Sequence, residues 1–126
     1  MRVESPALRL TVLLTDTGCY HHRPRCNEIV RRARKAGLAG ASVFHGVEGF
    51  GASSRIHSGH VRQLRDERPL RIEMVDEADR IRAFLPELDE IVGHGLAVLE
   101  AVTVVCFAGA QSRATAAAAW SHHDAD

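Results

Sequence analysis

Near the start of the chain Leu8, Leu10, Val12 and Leu14 alternate with Arg9, Thr11 and Leu13, and this two-residue period predicts a strand with one apolar face. Residues 1–7 show no such pattern and are read as a loose lead-in. The stretch 15–25, with Asp16, Gly18 and Pro24, breaks the alternation and predicts a loop. From Cys26 the period becomes helical: Cys26, Ile29, Val30 and Ala33 share one side, and Arg31, Arg32, Arg34 and Lys35 lie mainly on the other. Pro24 and Gly37 stand where helices begin and end well. The four basic residues oppose the helix dipole, and their predicted role is a solvated face.

A second strand follows at about 41–48, with Val43, His45 and Val47 on one face and Ser42, Phe44 and Gly46 on the other. Leu70, Ile72 and Met74, alternating with Arg71 and Glu73, give a third, opened by Pro69 at a position where proline is tolerated. Asp76 is placed to cap a helix carrying Ile81, Phe84, Leu85, Leu88, Ile91 and Val92 at helical spacing. Pro86 predicts a kink or break in it. The apolar, β-branched run Leu96–Phe107 is the fourth strand, and an Ala-rich, then polar, flexible tail follows over 108–126.

Strand, helix, strand, strand, helix, strand is the ferredoxin-like βαββαβ order, an α+β sandwich in which two right-handed crossovers place both helices on one face of a four-stranded antiparallel sheet. The domain is read as residues 8–107. Its other sheet face would carry Arg9, Thr11, Arg71, Glu73 and either Phe44 or His45. That mixture is too polar for a core and in places too apolar for plain solvent, which predicts contact with other copies. Glu48 and Glu73, placed on central strands, are expected to pair with Arg9 or Arg71 there.

Composition narrows the function. Sixteen Lys and Arg balance sixteen Asp and Glu, which argues against nucleic acid held by bulk electrostatics, so an anion site must be local. Three cysteines without an apolar leader fit reduced thiols in the cytoplasm. No run reaches the roughly 18 apolar residues of a membrane span.

The candidate chemistry lies after the second strand. Gly46, Gly49 and Gly51 permit close backbone approaches, and Ser53, Ser54 and Arg55 offer hydroxyls and a guanidinium to an anionic ligand. A mobile surface tip is the alternative explanation of the same composition. Cys19, His21, His22 and Cys26 are clustered but lack zinc-ligand spacing, and His57 and His60 share a face only if that segment is helical. His122 and His123 fall in the tail. Ser53, Ser54 and His57 can be drawn as a catalytic pair, yet nothing fixes their geometry; the reading is a non-enzyme with no cofactor.

The segments Gly37-Leu38-Ala39-Gly40-Ala41, Gly46-Val47-Glu48-Gly49-Phe50-Gly51-Ala52-Ser53-Ser54-Arg55-Ile56-His57 and Ile81-Arg82-Ala83-Phe84-Leu85-Pro86 resemble the small PII-like proteins of domain of unknown function 190. The resemblance covers about residues 8–105. It implies a cytoplasmic homotrimer engaged in signal transduction, nucleotide binding in clefts between subunits, and a long loop, here about 49–68, that contacts a target, with membrane-transport proteins as one partner class. Carried over by position, Gly49, Phe50, Gly51, Ser53, Ser54, Arg55 and His57 belong to the cleft or the loop base, with Arg23 and Pro24 as secondary candidates. A divalent-metal-binding trimer similar to the CutA-like proteins is the alternative on the same fold, with His21, His22 or His57 as ligands.

Overall fold

The computed structural model describes residues 2–15, 19–20, 23–49, 69–93 and 95–107. In chain order the elements are β1 (Arg2–Thr15), β2 (Cys19–Tyr20), β3 (Arg23–Pro24), α1 (Arg25–Lys35), β4 (Ser42–His45), β5 (Pro69–Asp76), α2 (Ala78–Ile91) and β6 (Leu96–Phe107). The main sheet has the order β4-β5-β1-β6, with all neighbours antiparallel. Each helical crossover, β1-α1-β4 and β5-α2-β6, skips one strand, as the ferredoxin-like fold requires.

One apolar layer joins sheet and helices. Leu10 and Val12 of β1, Ile72 and Met74 of β5, Ile29 of α1, and Ile81 and Phe84 of α2 are essentially inaccessible to solvent. These are the positions picked out by the two periodicities, so the burial follows from the pattern. Helix α1 ends in a Schellman motif: Leu38 N–H donates to Ala33 O at 3.1 Å and Gly37 N–H to Arg34 O at 3.1 Å. Gly37 has φ +83°, a conformation that disfavours a side chain, and Leu38 is buried beneath the turn.

Several expectations change. Residues 2–7 are not a loose lead-in but the first half of β1, paired from Arg2↔Phe107 to Ala7↔Val102 with β6, while pairing with β5 begins only at Leu8↔Asp76. Within the predicted loop, Cys19 and Tyr20 form a short ladder with Pro24 and Arg23. Strand β4 is only four residues long and lies at the sheet edge, so Glu48 falls beyond it and is not on a central strand. Helix α2 continues through Pro86, held by the buried Ile81, Phe84, Leu88 and Ile91 on both sides of it.

Asp76 does not act as the N-cap of α2, which is Glu77. Fully buried, its carboxylate accepts from Glu77 N–H at 2.7 Å and from Ala39 N–H at 2.9 Å, joining the start of α2 to the turn before β4. Arg80 reinforces the same junction by donating to Gly37 O at 2.8 Å.

Arg32 also departs from the solvated-face reading. It donates to Glu28 at 2.9 Å, Glu87 at 2.8 Å and the Tyr20 hydroxyl at 3.2 Å, bridging α1, α2 and β2. Hydrogen bonds to Glu87 and then Glu28 raise its pKa further. Glu28 itself is buried, and hydrogen bonds from Arg31 and Arg32 hold its carboxyl below the ordinary glutamate range.

Candidate functional site

The strand registers bring the interesting segments to one end of the sandwich. Thr15 at the end of β1 pairs with Pro69 at the start of β5, Leu13 with Leu96 at the start of β6, and His45 at the end of β4 with Leu70. The start of α1 and the end of α2 reach the same end, where Arg25 lies against Gly93.

Here the chain leaves β4 and later returns to β5. Gly46 N–H donates to Pro69 O at 2.7 Å. A Cβ on Gly46 would collide with the Pro69 ring, and one on Gly49 would stand 3.0 Å from Pro69 Cγ. The two glycines therefore let the outgoing chain lie directly on the residue where it comes back. This places Gly49 at the root of the connection. Phe50, Gly51, Ser53, Ser54, Arg55 and His57 lie outside the described residues, as do loop positions 51–68 generally. Arg23 pairs with Tyr20 through its backbone, and its side chain is outside the description.

A second feature at this end was not singled out by sequence reasoning. A groove of about 360 Å³ runs between the last turns of α2 and the start of β6. Leu85, Leu88 and Val92 line it from the helix, Leu96 and Ala97 from β6, and Val12 forms part of its floor. Asp89 adds a carboxylate, so polar and aliphatic surface share the lining, and Gly93 and Gly95 lie at one end. Gly93 has φ +66°, and a Cβ on Gly95 would lie 2.8 Å from Leu13 O. The Arg25 guanidinium reaches to 3.4 Å from where a Gly93 Cβ would be, and it makes no ion pair with another described residue. In the sequence, Gly93 and Gly95 only precede the fourth strand, and Arg25 is the last residue of the stretch 15–25 read as a loop. The groove exists because three elements meet, and no local pattern encodes that meeting.

The sheet face away from the helices carries the predicted mixture. Phe44, not His45, is its aromatic residue, opposite Arg71 in the register, with the guanidinium 4.6 Å from the ring centroid. Arg71 pairs with Glu73 at 3.2 Å and Arg9 with Glu100 at 2.9 Å. The latter hydrogen bond raises the Arg9 pKa and lowers that of Glu100. Leu13, Val98 and Leu96 add exposed aliphatic surface.

Among the described residues no three His, Cys, Asp or Glu side chains converge on a metal position. Cys26 is buried in the core, while His21, His22, His57 and His60 lie outside the description. No described helix is long and apolar enough to cross a membrane.

Sheet order and helix placement define a ferredoxin-like fold. The chain belongs to the DUF190 family, described as Uncharacterized ACR, which it matches over residues 7–104. It is 34% identical over 107 residues to a UPF0166 protein of Aquifex aeolicus (strain VF5), covering 83% of this chain and 98% of that one. Among solved structures, a Thermus thermophilus protein described as PII-like signaling superposes with a TM-score of 0.52 at 15% identity, covering 82% of this chain and 91% of that chain. CPII of Thiomonas intermedia K12, in a structure bound to ADP, AMP and acetate, gives a TM-score of 0.50 at 14% identity, with 80% and 90% covered.

Proposed function

We propose that this protein is a PII-like regulatory subunit that senses a small anionic ligand of the adenine-nucleotide class at clefts between copies in a homotrimer. It reports the ligand to a partner protein through the connection after β4. The observation that carries this reading is the loop root: Gly46 and Gly49 pack on Pro69, so a segment rich in hydroxyls and carrying Arg55 leaves and re-enters the domain at one point. Such a root ties both ends of the connection to the paired strands β4 and β5. The ligand class is supported by the ADP and AMP bound to CPII, a protein of the same fold. Assembly is supported by the uncovered sheet face, where aliphatic side chains surround two ion pairs. The role is binding and signalling, with a membrane-transport protein as one target class.

A thermal-shift panel with adenine and guanine nucleotides, bicarbonate and divalent metals tests the reading. At a hundredfold over its dissociation constant a ligand specific for the folded state stabilises by about 2.7 kcal/mol, a readily measured shift. A nucleotide-dependent shift that Arg55→Ala abolishes is the expected result. A panel in which only divalent metals act would replace this reading with the CutA-like one, and silence from every nucleotide and anion would remove the sensor role.

A further inference from the structure

Strands β1 and β6 run on past the rest of the sheet, and we propose that the residues after Phe107 fold back as a short helix over the face this overhang leaves open, with Trp120 against Phe107 and Val105. The occupant is this chain's own segment 108–126, which lies outside the described residues.

The overhang follows from the strand register. Residues 2–7 pair only with 102–107, because β5 joins β1 only from Leu8 onward. In that ribbon Phe107, Val105 and Thr103 stand opposite Arg2, Glu4 and Pro6, on the face that Leu8, Leu10 and Val12 turn towards the helices farther in. Over the four-stranded part this face is the core, whereas at the overhang Phe107 is 79% exposed and Val105 is exposed as well. A two-stranded ribbon holds poorly by itself and gains stability by packing one face on another element. The sheet face that carries Arg9, Glu100 and Val98 is the opposite one, so assembly through that face does not cover Phe107.

Three properties of the segment make it the occupant. The chain leaves the ribbon at Phe107, so the segment is tethered at the edge of the patch, where a short link gives an effective concentration on the order of millimolar. Ala114 and Ala116–Ala119 are strong helix formers, but the run is too short to stay helical alone in water, and its helix needs a surface to pack on. In a helix Ala116 and Ala117 are the neighbours of Trp120 on one face, which pairs a large aromatic with small residues that let the backbone approach a flat ribbon. Lengths agree, since six ribbon residues span about 20 Å and a ten-residue helix about 15 Å. Glu4, exposed on the same face, makes no ion pair with a described residue and offers Arg113 a partner.

Trp120 is the single tryptophan of the chain, so its fluorescence reads the contact directly in the full-length protein. Acrylamide quenching of the folded chain is expected to be at least about threefold slower than that of the same chain unfolded in urea, with emission shifted to the blue. Phe107→Ser and Ala117→Pro should each bring quenching close to the unfolded rate, while the melting temperature stays within a few degrees of the parent. Val98→Ser, on the other sheet face, should leave quenching unchanged. Trp120 quenched as fast in the folded parent as in urea would overturn the proposal. So would protection that Phe107→Ser and Ala117→Pro both leave intact, which places Trp120 elsewhere. Protection that vanishes on hundredfold dilution of a chain still folded by circular dichroism would overturn it too, and assign the face to a second copy.

Discussion

The carboxylate of Asp76, at the end of β5, accepts the backbone N–H of Ala39 at 2.9 Å across the domain from the turn that follows α1. Its other oxygen takes the Glu77 N–H, so one buried side chain satisfies donors from two connections. Asp76→Ala leaves both N–H groups without that acceptor, and the expected loss of stability is roughly 2–4 kcal/mol. Urea denaturation of the purified variant measures it. A midpoint unchanged from the parent would show that water or backbone rearrangement replaces the carboxylate.

Gly46→Ala should destabilise by about 1–3 kcal/mol, since the new methyl group meets the Pro69 ring and forces the two ends of the connection apart. The same variant should be cleaved faster by protease between Gly49 and Pro69 than the parent protein. Gly40→Ala, where a Cβ has open space, is the matched control and should leave protease sensitivity at the parental level.

Removal of the Arg32 guanidinium, as in Arg32→Met, should destabilise most at neutral pH. Glu28 has a lowered folded-state pKa, so its contribution is complete above the ordinary glutamate range and is lost as pH falls through the lowered value. Without Arg32 the Glu28 pKa moves back towards normal, although Arg31 still donates to it at 3.2 Å. The stability gap between parent and variant should therefore narrow between about pH 7 and about pH 3. Chemical denaturation at both ends of that range reads the gap; a gap that widens in acid contradicts the assignment.

Pro86→Ala should stabilise the protein. The helix runs through this position, and proline in a helix interior costs up to about 3 kcal/mol relative to alanine through its missing donor and its clash with the preceding turn. Part of the gain is offset by the freer unfolded chain, leaving an expected rise of about 1–2 kcal/mol. Differential scanning calorimetry checks it, and a lower melting temperature would mean that the proline is needed by its surroundings.

Much of the architecture is legible in the order of apolar residues. Leu10, Val12, Ile72 and Met74 alternate because each strand presents one face to the helices, and Ile81, Phe84, Leu88 and Ile91 recur because α2 presents one stripe to the sheet. The strand character of Arg2, Glu4 and Pro6 is not legible, since their partners lie in β6 and nothing local replaces them. Arg32 is similar: its spacing from Glu28 is visible along the helix, but Glu87 and Tyr20 reach it only in the folded chain. At the candidate site, the small residues after β4 announced a close approach, which Gly46 and Pro69 make. The groove beside Gly93 went unannounced because its walls come from separate elements.

Arg2 pairs with Phe107, so β1, which occupies a central place in the sheet, finds one of its two neighbours only at the far end of the domain. On a ribosome the first strand must wait for the last before the sheet can close, and until then its edge has no partner on that side. Loop closure over such a span makes folding slow in comparison with helical domains of this size. The interval between synthesis of β1 and emergence of β6 is the period in which the nascent chain is most exposed to pairing with the wrong strand.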